Sequence, residues 1–244
     1  MKARLLDLYQ TLFDAYGPQG WWPGDQDPFV VVVGAILTQT TAWANVERAL
    51  TNLREAGLLS PGALLAAPEE ELARVIRPAG YFNAKARRLK LFVEMLHERF
   101  EGRLERLFAL PVAELREALL ATHGIGPETA DDIILYAARR PVFVIDAYTR
   151  RILSRLGLRP AKDDYAGWQA LFMDALPPDV ALFNEYHALL VRHAKVACRK
   201  LPRCDRCPLL RGEGGISEKL TSSWVACAYR RKKPVRCDTV NPSL

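Results

Sequence analysis

No stretch of about 18 or more uninterrupted apolar residues occurs in the chain, so a membrane-spanning helix is not expected. The first residues, Met1-Lys2-Ala3-Arg4 and then Asp7, lack the apolar block and small-residue cleavage site of a secretory signal, and a cytoplasmic protein is the expectation. Cysteine is absent before Cys198, which removes disulfides from most of the fold. Histidine is scarce, with four in all. Two of them, His187 and His193, are spaced to lie on different faces of a helix, which reads as partly exposed structural histidines rather than a metal pair. No internal repeat is visible, and low complexity is confined to the Gly-, Ser- and Lys-rich stretch after Arg211.

What remains is a chain of 244 residues, half of them apolar, enough for one sizeable core or two small ones. Helical periodicity dominates. Leu5, Leu8 and Leu12, then Leu89, Phe92, Val93, Leu96 and Phe100, then Leu182, Tyr186, Leu189 and Leu190 recur at spacings of three and four. Phe29 to Leu37 is continuously apolar and β-branched, which by propensity is a buried strand. Its one candidate partner, Pro141 to Ile145, is very short, so the fold class is all-α. Pro/Gly punctuation at Ser60-Pro61-Gly62, Pro78-Ala79-Gly80, Pro177-Pro178 and Gly212 to Gly215 separates helix-sized segments. The domains expected are one of residues 1–27 plus 177–212, a second of 28–176, and an irregular basic tail, 213–244, with a cleft between the two helical domains.

The formal charge is +6 and the pI about 9.1. Lys195, Arg199, Lys200, Arg203, Arg206 and Arg211 cluster late, and Arg230 to Lys233 form a run. Such clusters suit a polyanionic partner, because each cation displaces counterions condensed on a nucleic-acid backbone, although a solvated face explains each group alone equally well. All five cysteines, Cys198, Cys204, Cys207, Cys227 and Cys237, share this region, and in a reducing compartment such crowding marks a metal or cluster site.

The most informative stretch is Thr122-His123-Gly124-Ile125-Gly126-Pro127-Glu128-Thr129-Ala130. A helix ends, Gly-x-Gly reverses the chain, and Pro127 opens the next helix where a missing N–H costs nothing. Glycine permits positive φ and close approach of backbone amides to a phosphate, and the new helix adds a positive dipole end. Further on, Val142-Phe143-Val144-Ile145-Asp146 places one aspartate after an apolar run and before a helix, where it is a good N-cap.

The pairing of Gly124-Ile125-Gly126 with Val144-Ile145-Asp146 resembles the endonuclease III superfamily of helix-hairpin-helix (HhH-GPD) DNA glycosylases, over roughly residues 28–208. That resemblance implies a hairpin gripping damaged double-stranded DNA, a catalytic Asp146, and a monomer. It assigns DNA contacts to Gln39, Gly124, Ile125, Gly126, Thr129, Arg199 and Lys200, with Gln39 filling the stack vacated by an everted base. Bifunctional members carry a Schiff-base lysine where this chain has Glu128, so a monofunctional glycosylase is implied. Trp21-Trp22-Pro23, Gln39 and Trp43 together are similar to the 3-methyladenine branch, with Trp21, Trp22, Trp43 and Tyr148 as base pocket and an alkylated purine as the lesion. For any one tryptophan, plain core packing is the competing reading.

Cys198-x5-Cys204-x2-Cys207 resembles the [4Fe–4S] loop of that superfamily. The chain departs from it where Glu213 stands six beyond Cys207 and no fourth cysteine follows closely. Cys227 is favoured over Cys237 as fourth ligand, and zinc is the competing metal. The rival readings are an endonuclease III-like enzyme for oxidised pyrimidines, a catalytically silent DNA-binding relative, and a bifunctional enzyme using Lys85 or Lys90.

Overall fold

A computed structural model describes residues 1–21 and 27–210. Trp22, Pro23, Glu213, Cys227, Cys237, the Gly212 to Gly215 punctuation and the Arg230 to Lys233 run lie outside the described residues. All regular elements among the described residues are helical. In chain order they are α1 Lys2–Tyr16, α2 Pro28–Thr38, α3 Trp43–Glu55, α4 Pro61–Ala66, α5 Glu69–Val75, α6 Phe82–Phe100, α7 Leu104–Phe108, α8 Val112–Leu120, α9 Pro127–Asp132, α10 Ala147–Arg155, α11 Tyr165–Met173 and α12 Val180–Val196. A 3₁₀ turn, Arg77–Ala79, precedes α6, a π turn, Ile133–Ala137, continues α9, and 3₁₀ turns span Cys204–Arg206 and Pro208–Leu210. No described helix is long and apolar enough to cross a membrane.

The β-branched run is α2, a helix. Asp27 caps it by accepting from the Phe29 N–H at 2.8 Å, Pro28 sits in its first turn, and its residues from Val31 to Leu37 are all buried. A helix buried on every side needs no polar face, so packing overrides strand propensity here. Short helices start on the punctuation: Ser60 accepts from Ala63 N–H to open α4, and Gly80, at φ 68°, ends the 3₁₀ turn.

The chain divides into two compact units. One comprises Met1–Gln19, Ile145–Pro177 and the chain from Glu185 onward; the other is Gly20–Val144 with Pro178–Asn184. Residues 145–176, expected in the domain of 28–176, group with the chain ends. The reason is their long-range bonding: Arg4 donates to the Leu156 carbonyl, and Phe172 meets Tyr186 edge-on, with ring centroids 5.4 Å apart. Leu5, Leu8 and Leu12 of α1, Ile152 and Leu153 of α10, Trp168 of α11, and Leu189 and Leu190 of α12 are this unit's core residues. Tyr186 closes it by donating to the Leu5 carbonyl at 2.7 Å.

The other unit buries α2 together with Val46, Leu53, Leu64, Leu72, Leu89, Phe92, Leu96, Leu115, Leu119 and Ile133 to Leu135. Two buried charges hold it. Asp131, fully buried, accepts from Arg116 Nε at 2.8 Å and Nη2 at 3.3 Å, fixing α9 to α8. Lys85, also fully buried, donates to the carbonyls of Leu37 and Ala79, both at 2.8 Å, tying the end of α2 to the turn before α6.

Candidate active site

The hairpin joins α8 to α9. Its first glycine, Gly124, has φ 88°, and a Cβ there would fall 2.5 Å from Arg88 Cγ, so both backbone and space demand glycine. The second is different: Gly126 has φ −90° and open space around its Cβ direction. Neither its backbone nor the space around it demands glycine. The Ile125 N–H is spent on the Thr122 carbonyl, and the buried Ile125 side chain anchors the loop. Glu128 is exposed in the first turn of α9, where a carboxylate complements the helix dipole.

Gln39, just past α2, docks on this hairpin. Its Nε2 donates to the Gly124 carbonyl at 3.1 Å and to Thr129 Oγ1 at 2.8 Å, while Arg88 donates to its Oε1. Thr129 is buried, so its hydroxyl positions Gln39. The next residue, Thr40, has φ 59°, a strained turn for a β-branched residue. Sequence reasoning missed Arg88, and also Tyr81, which is 71% exposed at φ 45° beside the turn that Lys85 ties to α2.

Trp43 opens α3 and is half-buried; Trp21, also half-buried, packs against Tyr136 with centroids 5.9 Å apart. In the first unit, Tyr148 is half-buried with the Arg151 guanidinium 5.0 Å from its ring centroid.

Asp146 caps α10. Its Oδ1 accepts from the Thr149 N–H at 2.7 Å, and its Oδ2 lies 3.8 Å from His187 Nε2. The Asp146 side chain keeps 13% exposure and that of His187 5%. Burial alone would raise the carboxyl pKa, but the His187 imidazole and the Thr149 backbone N–H and side chain outweigh it and hold Asp146 below its ordinary value. The carboxylate is thus ionised, fixed and still accessible. His187 and His193 are both buried, not partly exposed as expected.

From the same helix, Arg151 donates to the Cys198 carbonyl at 3.0 Å, and Arg155 to the carbonyls of Arg199 at 2.7 Å and Lys200 at 3.0 Å and to Cys198 Sγ at 3.3 Å. The loop backbone is gripped while the side chains of Arg199, Lys200, Arg203 and Arg206 stay exposed. Cys198, Cys204 and Cys207 are half-buried. His193 shares a 2.9 Å hydrogen bond with the Tyr16 hydroxyl and places Nε2 4.0 Å from Cys207 Sγ. Burial and Arg151 push His193 down to about 4, and burial with Cys207 nearby pushes Tyr16 up to about 12.

A model of the HhH-GPD superfamily of base excision DNA repair proteins matches residues 33–178. Over 204 residues the chain is 46% identical to a candidate DNA repair glycosylase of Methanocaldococcus jannaschii, covering 83% of this chain and 92% of that one. It is 30% identical over 181 residues to an endonuclease III of Sulfolobus acidocaldarius, covering 73% and 78%. Among solved structures, a 3-methyladenine DNA glycosylase of H. pylori bound to 1,N6-ethenoadenine is 28% identical, with TM-score 0.64 over 79% of this chain and 94% of that one. A non-covalent endonuclease III–DNA complex shares the fold, with TM-score 0.76 at 21% identity over 96% and 99%.

The chain therefore belongs to the HhH-GPD superfamily of base excision DNA repair proteins. Within it, the protein is a DNA repair glycosylase, an enzyme acting on the N-glycosidic bond of a base.

Proposed function

We propose that this glycosylase is monofunctional: it hydrolyses the N-glycosidic bond of an alkylated purine flipped out of duplex DNA, using Asp146 and water, and leaves an intact abasic site. The observation that carries this is the Asp146 carboxylate, fixed by the Thr149 N–H through one oxygen, with the other oxygen uncommitted by the cap. Departure of the base leaves positive charge on the deoxyribose, and a preorganised anion stabilises it as it develops. The same carboxylate orients or deprotonates the attacking water.

Among the described residues, neither lysine weighed for the lyase route, Lys85 or Lys90, has an uncommitted amine. Glu128 stands at the Schiff-base position, and a carboxylate forms no imine. Lys85 is held by two carbonyls, and Lys90 donates to the carbonyls of Leu64, Leu65 and Ala67. Gly124, Ile125, Gly126 and Thr129, with Gln39, Arg199 and Lys200, are the DNA-contacting set; Trp21, Trp22, Trp43 and Tyr148 supply the base pocket. A cationic alkylpurine suits indole faces and is a good leaving group, and the H. pylori relative bound to an ethenoadenine supports a modified purine.

The Cys198-x5-Cys204-x2-Cys207 spacing is the support for a [4Fe–4S] cluster, with Cys227 as the proposed fourth ligand; among the described residues no three His, Cys, Asp or Glu side chains come together as a metal site. When bound, the cluster would pin this basic loop for phosphate contact rather than act on the base. The protein works as a monomer on damaged double-stranded DNA in the cytoplasm.

The test is to incubate the protein with duplexes carrying alkylated, oxidised or mismatched bases and to identify what is released. Release of alkylpurines supports the reading; release of oxidised pyrimidines alone favours the endonuclease III-like alternative, to which the Sulfolobus relative lends weight. Asp146→Asn is expected to lower excision by about 100-fold or more while DNA affinity holds. Full activity in that variant, or a covalent adduct trapped by borohydride in the wild type, refutes the mechanism.

A further inference from the structure

The two oxygens of Asp146 have different neighbours. Oδ1 is committed to the Thr149 N–H, whereas Oδ2 faces the imidazole that α12 supplies, at 3.8 Å. The arginines of α10 are turned elsewhere: Arg150 lies over the Tyr165 ring, Arg151 over Tyr148 and onto the Cys198 carbonyl, and Arg155 onto the loop carbonyls. Among the described residues, His187 is thus the titratable side chain aimed at the carboxylate, and with Thr149 it accounts for the lowering of the Asp146 pKa.

We propose that His187 is a positioning residue for base excision, its Nε2 aiming and polarising Asp146 Oδ2 toward the sugar. This rests on the reading of Asp146 as the catalytic carboxylate. A cap hydrogen bond to one oxygen fixes the carboxylate's place but not the direction of its other oxygen. A donor on Oδ2 supplies that direction, and keeps an anion that is mostly shielded from water from picking up a proton. At 3.8 Å the pair is longer than a hydrogen bond, within reach of one by a small side-chain adjustment as substrate excludes water.

Single-turnover excision on methylated duplex is measured for wild type, Asp146→Asn, His187→Leu and His187→Gln, across the acid pH range. In parallel, affinity for a duplex with a non-cleavable abasic analogue and thermal melting are recorded. Leucine is expected to slow excision about 10- to 100-fold, as loss of an orienting partner does, and to leave DNA affinity unchanged. With the pKa-lowering group gone, the acid limb of the rate profile moves to higher pH. Glutamine retains an N–H donor and is expected to recover most of the rate.

Wild-type rate and an unmoved acid limb in His187→Leu overturn the proposal. So does a glutamine variant as slow as leucine, which would make His187 a space-filler. Should leucine prevent folding, the glutamine profile decides: an uncharged side chain still shifts the acid limb upward if the proposal holds, and an unshifted limb overturns it. An Asp146→Asn variant with full activity defeats the underlying functional reading instead, so the two failures are told apart.

Discussion

Replacing Gly124 by alanine sets a methyl group against the Arg88 side chain. The ideal Cβ lies 2.5 Å from Arg88 Cγ, 2.8 Å from Nε and 2.9 Å from Cδ, on a backbone with φ 88°. Two costs separate cleanly. Left-handed backbone costs an L-residue about 1–2 kcal/mol wherever its neighbours go. Clearing the methyl displaces Arg88 and breaks its bond to Gln39 Oε1, worth about 1 kcal/mol for a half-buried charged donor. Urea unfolding should therefore show a loss of about 2–3 kcal/mol in the wild type, but about 1–2 kcal/mol when Arg88 is already alanine, a coupling of about 1 kcal/mol. Equal losses in both backgrounds would refute the claim that Arg88 fills the place of the missing Cβ. Unfolding slopes must match across the four proteins for the cycle to be read this way.

Burial, with Arg88 adding to it, lowers Lys85 from 10.5 to about 8. Between those values the unfolded chain binds the extra proton, so wild-type stability relative to Lys85→Met should rise with pH, on the order of 3 kcal/mol in total. The neutral amine still has N–H groups for Leu37 and Ala79; a flat difference across that window would show the lysine is solvated. Asp146 has the same sign of slope, in the acid range. Its depressed pKa stabilises the fold above the ordinary carboxylate value of about 3.9, and that contribution should vanish as acid titrates the folded state, closing the stability gap to Asp146→Asn. Arg155→Gln removes the grip on Cys198 to Lys200 and is expected to speed hydrogen exchange in that loop and to weaken DNA binding about fivefold, equivalent to about 1 kcal/mol. Unchanged exchange would mean that the loop is held by something else.

The all-α class was legible although Phe29 to Leu37 is a strand by propensity: without an adequate partner strand, a wholly apolar segment has only a buried helix to become. The hairpin and the Asp146 cap were legible because glycine, proline and aspartate each state their backbone requirement in place. The grouping of residues 145–176 with the chain ends was not, since it rests on pairs such as Arg4 with Leu156 and Phe172 with Tyr186, which no periodicity announces. His187 escaped for a related reason. Helical spacing shows which face of α12 it occupies, but not that Asp146 meets that face, so a buried partner was read as a structural histidine. The docking of Gln39 and Arg88 onto the hairpin is a side-chain event between distant segments, and sequence is silent on such rotamers.

Helix α10 begins at the Asp146 cap and ends with Arg155 fastened to the cysteine loop. Nine residues of helix form a strut of about 13 Å, stiff along its length. The same short rod therefore sets the register between the carboxylate at its head and the loop backbone at its foot, so neither end can be repositioned without the other.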